Sequence, residues 1–367
     1  MNKKITDGYL LFLLILISVC GLTAVYTSVF SFEGAESYVK MQSLAFTIGF
    51  VCFFVLGLFQ PGVFKKCAPF IFIVSAAALI AVLIFGTGLK ETGGQSWIRI
   101  GKIGFQPSEF VKIGFIITFA AHLSKVKDSI NSAKTLSLLL LHSAVFIVLI
   151  ALEPDIGTAL VFVFITVSML FFAGLSWKYF AGGGLIFAVS MPVMWALLKN
   201  YQKKRILVFL NPELDPTGYG YNVIQSKLAL GSGKIFGQGF LAGKITQGEM
   251  LPSKHTDFIF SVIGEEFGLV GCAAVTVILM LIIMRLFTIG IRSKDSFSGL
   301  MSCGLSAMLL FHTVINIGMC MGLMPVTGIP LPFISYGGSS VIANFAAAAL
   351  ASSAAVHAHG KAKKRKR

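Results

Sequence analysis

Apolar residues run along this chain in long blocks separated by short polar breaks. The blocks at 9–30 and 299–320 each hold about 20 residues, enough for a helix to cross a bilayer. Ten such spans are predicted, at 9–30, 43–60, 69–87, 110–123, 135–152, 157–175, 180–198, 266–287, 299–320 and 337–356. The expected fold is therefore an all-α polytopic membrane protein with about ten transmembrane helices. Residues 1–360 form a single transmembrane domain and KAKKRKR (361–367) a basic tail. The first block is too long for a signal peptide and has no small-residue cleavage site, so it is expected to be retained.

Composition agrees. The 367 residues are 56% hydrophobic and 12% charged, against about 25% charged in a soluble domain. The charges give the topology. An even number of spans puts both termini on one side, and both are basic: Lys3 and Lys4 in front, the tail behind. Lys65, Lys66, Lys125, Lys127, Lys134, Lys178, Arg285, Arg292 and Lys294 fall on the same side. The positive-inside rule makes that side cytoplasmic. Most acids, Asp257 among them, then face outward. The net charge of +15 reads as topology plus attraction to anionic lipid, with no nucleic-acid partner, because no stacking platform accompanies the basic runs. Six cysteines lie scattered in apolar stretches without a CxxC pair, as buried small hydrophobes do.

Most connections are short. The exception is 199–265, expected to form short helices and turns on the outer face, partly re-entrant. It carries Lys199, Lys203, Lys204, Arg205, Lys227, Lys234, Lys244 and Lys254. Long loops escape the positive-inside rule, so these cations are either simply tolerated or hold an anionic lipid substrate, to whose phosphate Lys and Arg are suited. In GGQSWIRIGKIGFQPSEFVK (93–112), Pro107 and Glu109 mark a helix start, and Glu109 can pair with Lys112 on one face. Pro154 and Asp155 in LEPDIGTAL (152–160) break one helix and cap the next. GLMPVTGIPLPFISYGGSS (322–340) holds too much Pro and Gly for a continuous helix, and irregular backbone at membrane depth must be buried in protein or line a cavity.

No zinc motif, phosphate loop or Ser-His-Asp pattern is present. What remains is an outward cluster: Glu109, Lys112, Arg205, Lys227, His255, Thr256, Asp257, Ser335 and Tyr336. Asp257 stands directly before an apolar run, in LPSKHTDFIF (251–260). It is either an N-cap for that run or a working carboxylate at the water–membrane boundary. The residues describe an outer-leaflet site for something anionic and do not name a reaction.

LPSKHTDFIFSVIGEEFGLVG (251–271), WIRIGKIGFQPSEFVK (97–112), EPDIGTAL (153–160) and PVTGIPLPFISYGGSS (325–340) resemble, in order, the signature stretches of the SEDS family (shape, elongation, division and sporulation). The likeness spans nearly the whole chain and is greater to the rod-elongation branch than to the division branch. It implies a peptidoglycan glycosyltransferase that polymerises lipid II on the outer face of the bacterial inner membrane. It also implies a class B penicillin-binding protein, a transpeptidase, as partner within the elongation complex. The family's essential HTDF aspartate falls on Asp257 and its QPSE glutamate on Glu109. Two positions depart: Ser253 stands where relatives commonly have Glu, and Glu153 where many have Gln. For such a reaction, with a pyrophosphate leaving group and a weakly nucleophilic sugar hydroxyl, one positioned base is the minimum chemistry, so inverting transfer with Asp257 as general base is expected. Glu109, Lys112, Arg205, Lys227, His255, Thr256, Ser335 and Tyr336 would bind substrate, and Mg²⁺ or Mn²⁺ would assist. The rival readings are a flippase for the lipid-linked precursor and a non-catalytic scaffold for the transpeptidase.

Overall fold

The computed structural model describes residues 6–88, 95–101, 103–198 and 200–364, with a few side chains, that of Arg205 among them, outside the description. Helices dominate. In order they are α1 (Gly8–Val29), α2 (Ala35–Leu58), α3 (Pro61–Phe85), α4 (Pro107–Val126), α5 (Ala133–Leu152), α6 (Ile156–Phe172) and α7 (Trp177–Leu197). Then come α8 (Asn200–Leu210), α9 (Tyr219–Ser232), α10 (Lys244–Gln247), α11 (Ile259–Arg292), α12 (Ser296–Cys320) and α13 (Gly338–Lys364). Seven of the long helices are apolar enough to cross a membrane and α6 is a shorter apolar one. With α4 and α7 they match the ten predicted spans one for one. Asp155 and Pro107 start α6 and α4 as expected, and Asp7, Ser132 and Asp295 likewise each accept a first-turn amide while Pro61 opens α3.

Three features depart from the sequence reading. Two short strands pair antiparallel, β1 (Ile98–Ile100) with β2 (Ile103–Phe105), and Gly101 follows β1 at φ +63°. The alternation in IRIGKIGF was the available signal. Helix also precedes the eighth span: the element Ile259–Arg292 begins before residue 266 and is two helices rather than one. It is broken at Gly268, whose φ of 67° and ψ of −162° are not helical. Third, the small-residue stretch AAAALASSAA (346–355), whose composition permits close helix packing, is occupied within the bundle. Ala346–Leu350 and Ala354 are buried, and Phe345 packs on Phe46 and Phe50 of α2.

At one end Asp7 ties α1, α11 and α13 together, accepting from Arg285 Nε (2.9 Å) and Nη2 (2.6 Å) while its amide donates to Ser352 Oγ. The other end carries α8–α10, the strand pair and the irregular connection 321–337. That connection is re-entrant. A Cβ on Gly21 would lie 2.5 Å from the Phe333 carbonyl oxygen, and Gly21 sits about 12 Å along α1 from its Val29 end.

Candidate functional site

The HTDF loop and the re-entrant connection are sewn together by buried polar groups. Ser253, at φ +51°, accepts from the amides of Thr256 (3.1 Å), Asp257 (3.1 Å) and Phe258 (3.3 Å), which curls the loop tightly. Ser335 Oγ donates to the Thr256 carbonyl (2.7 Å) and accepts from the Leu331 amide (2.8 Å). The Tyr336 amide donates to the His255 carbonyl (2.9 Å). Gln42 of α2 closes the far side, giving its Nε2 to the Ser335 carbonyl and accepting from Gly337. Asn316 of α12 donates Nδ2 to both the Asp257 (2.9 Å) and Ile329 (2.8 Å) carbonyls. Fully committed partners of this kind fix a loop that carries no regular structure.

The N-cap position of α11 belongs to Phe258 and not to Asp257. The half-buried Asp257 points toward the re-entrant connection, its Oδ2 3.8 Å from where a Cβ on Gly328 would stand. Gly328 has φ +74°, a conformation that favours glycine, so the backbone there comes close to the acid.

Behind this loop lies a buried charge pair. Lys112 Nζ donates to Glu109 Oε1 at 2.8 Å and lies 3.1 Å from His312 Nε2. The two charged side chains are 2% and 3% exposed. A lysine donating to Nε2 makes that nitrogen the acceptor and puts the ring proton on Nδ1. His312 and Asn316 are one turn apart on α12, so one face of that helix links the ion pair to the backbone of Asp257. The sequence reading missed both, although two polar residues four apart in an apolar span were a usable signal.

The other expected site residues divide. His255 is boxed by Phe32 (5.6 Å), Tyr38 (5.5 Å) and Tyr336 (5.6 Å). Burial and the neighbouring Lys254 pull its pKa down to about 4, so the ring is neutral at pH 7. Thr256 Oγ1 bonds within its own loop, to the Ser253 carbonyl. Ser335 has both hydrogen bonds committed to the loop and acts as a staple. Lys227 of α9 is exposed, its stem against Gly322. Its neighbour Ser226 docks α9 beside the HTDF loop through Ser261 Oγ (2.6 Å) and the Cys320 carbonyl (2.8 Å). The side chain of Arg205 and all of Lys199 lie outside the described residues. Lys254, counted among the loop cations, is buried and donates to Ser31 Oγ and the Thr246 carbonyl. Glu265 and Glu266 are buried anchors: Glu265 accepts from the amides of Ile245 and Thr246, and Glu266 from Gln247.

Glu153, in the turn between α5 and α6, is 1% exposed with both carboxylate oxygens unpartnered. Burial, with Asp155 nearby, pushes its pKa from 4.5 up to about 8. The folded chain thus holds a proton that the unfolded chain releases above about pH 4.5. This contribution to stability is complete below that pH and lost as pH rises toward 8. Glu153→Gln is expected to flatten the fall in Tm between pH 5 and 8.5. Equal slopes for the two proteins would place the Glu153 carboxyl in the ordinary range.

The molecule is thus a helical membrane bundle whose one end presents a fixed, acid-bearing loop beside a re-entrant connection and a buried ion pair. Residues 7–360 match the model for the cell cycle protein family of FtsW, RodA and SpoVE, and the chain belongs to that family, the SEDS proteins. It is 38% identical over 315 residues to the peptidoglycan glycosyltransferase MrdB of Escherichia coli, covering 86% of this chain and 84% of that one. It is 35% identical over 346 residues to a probable peptidoglycan glycosyltransferase FtsW of Trichlorobacter lovleyi, covering 92% and 89%. Among solved structures it superposes on a chain of a peptidoglycan synthase complex that coordinates polymerization and crosslinking, with TM-score 0.81, 30% identity and coverage of 96% and 97%. It likewise matches the rod shape determining protein RodA of Thermus thermophilus with TM-score 0.69 at 26% identity, covering 95% and 96%.

Proposed function

We propose that this chain is a peptidoglycan glycosyltransferase that polymerises lipid II during cell elongation, with Asp257 as general base. One observation carries the assignment of the base: the HTDF loop is held by Asn316, Ser335 and Tyr336 so that Asp257 faces Gly328 of the re-entrant connection. The donor sugar already bears a lipid pyrophosphate, a good leaving group, so a single base suffices. Asp257 takes the proton of the acceptor sugar hydroxyl as its oxygen attacks the anomeric carbon. The bond to pyrophosphate breaks with its electron pair, and that centre inverts. The site opens at the outer face of the cytoplasmic membrane, with both termini in the cytoplasm.

Leaving-group charge needs cations. Lys227 is exposed on α9 beside the loop, and Arg205 lies on α8. Reversing both charges is expected to raise KM for lipid II while expression holds, and unchanged kinetics would remove them from the site. Among the described residues no group of three His, Cys, Asp or Glu could cage a metal. A bound Mg²⁺ or Mn²⁺ would instead rest on pyrophosphate oxygens and one or two carboxylates such as Asp257, where it would offset the developing negative charge. Full activity in excess chelator would exclude that assistance.

The deciding experiment is purified protein with lipid II. Glycan strands are expected. Lipid scrambling alone would favour a flippase, a reading that the broken α11 keeps in play, and neither would leave a scaffold. A class B penicillin-binding protein is the proposed partner and should co-purify in mild detergent. The small-residue stretch of α13 is not its docking surface, since it is buried.

A further inference from the structure

The glycine-rich loop between α9 and α10 fills the break in α11. The carbonyls of Lys234 and Ile235 accept from the amides of Leu269 (2.9 Å) and Val270 (3.1 Å), the first turn beyond the break. In return the amides of Gln238 and Gly239 donate to the carbonyls of Glu265 (2.9 Å) and Glu266 (3.1 Å), the last turn before it. Close approach is possible because Gly233 and Gly237 have no Cβ; one added at either would collide with the α11 backbone.

This splice sets the loop at the depth of Leu269. Arg285 ends the apolar run of α11, and counting back about 20 residues for the hydrocarbon core puts the other edge near Glu265, so Leu269 lies just inside it. Leu269 and Val270 are exposed on the bundle's outside. So are Ile235, Phe240 and above all Phe236, 82% exposed. Phe240 stacks on Tyr26 of α1 at 6.2 Å, and Phe30, just past the end of that helix, is also exposed. Exposed Lys234 and Lys244 flank the patch. An aromatic band with lysines, continuous with the lipid-facing sides of two spans, has the composition of a bilayer interface. The backbone also meets the demand lipid makes, since these carbonyls and amides are already paired within the protein.

We propose that the loop 233–240 is a membrane-embedded element. Ile235, Phe236 and Phe240 enter the leaflet on this side of the bundle, and Lys234 and Lys244 lie at its headgroups. The inference needs only that the bundle spans a bilayer, not the reading of its chemistry. One consequence reaches the site: Glu265 holds the Thr246 amide and the Thr246 carbonyl holds Lys254, so an embedded loop fixes the height of the HTDF loop above the lipid.

The test is the full chain in nanodiscs of phosphatidylethanolamine and phosphatidylglycerol. Trifluoromethyl-phenylalanine replaces Phe236 or, as a water-facing control, the exposed Glu213. Fluorine relaxation is then compared with a spin-labelled lipid and with an aqueous gadolinium chelate. At 236 the lipid agent is expected to be several-fold more effective than the chelate, and at 213 the reverse. Overturning results are a 236 probe that behaves like the 213 probe, or one shielded from both agents, which would mean protein covers the patch.

Discussion

Asp257→Asn is expected to abolish glycan synthesis while leaving the protein intact. Asn matches Asp in size and keeps the backbone amide and carbonyl that Ser253 and Asn316 hold. It cannot accept the acceptor's proton. Loss of a general base costs roughly 10²- to 10⁴-fold in rate. Had Asp257 been a helix cap, Asn would have served about as well, since it caps as effectively. The cap position belongs to Phe258, so stability should barely change. The measurement is polymer length and yield from lipid II with purified variant, alongside Tm and binding of the unreacted lipid. Wild-type rates from Asp257→Asn would refute the mechanism, and a large drop in Tm would make the loss of activity structural.

The second large effect is expected at the pair behind the loop. Lys112→Met leaves Glu109 charged, 3% exposed and without its 2.8 Å partner. Removing one member of a buried pair costs about 3–5 kcal/mol, because the remaining charge stays desolvated. The double change Glu109→Gln with Lys112→Met removes both charges and should recover a large share of that loss. The two residues touch, so their effects are coupled rather than additive. Tm in micelles for both singles and the double forms the cycle. Singles that cost nothing would mean water reaches the pair and screens it.

Much of this was legible in the sequence because lipid is an exacting solvent. A span must be long, apolar and helical, so the ten crossings emerge from hydropathy alone. Caps and breaks were legible for the same local reason: Asp155, Pro107 and Pro154 act on the turn they stand in. The break at Gly268 was not visible, because it depends on a partner loop whose glycines let two backbones meet. Nor was the burial of Lys254, which takes its place among Ser31, Phe32 and the Thr246 carbonyl from two separate stretches.

The amino-acid sequence by itself determined the class of protein, its spans, the irregularity of 321–337 and the acid at 257, since each follows from residues adjacent in the chain. Only the tertiary structure decided what those residues do together. It separated Ser335 as a staple from Tyr336 at the loop's half-exposed edge, placed His312 and Asn316 between the ion pair and Asp257, and hid the small-residue stretch of α13 against α2. The reason is physical. Hydropathy and capping act within one or two turns of helix, whereas a buried polar group is satisfied by whatever the fold brings to it, and that partner is generally far away in sequence.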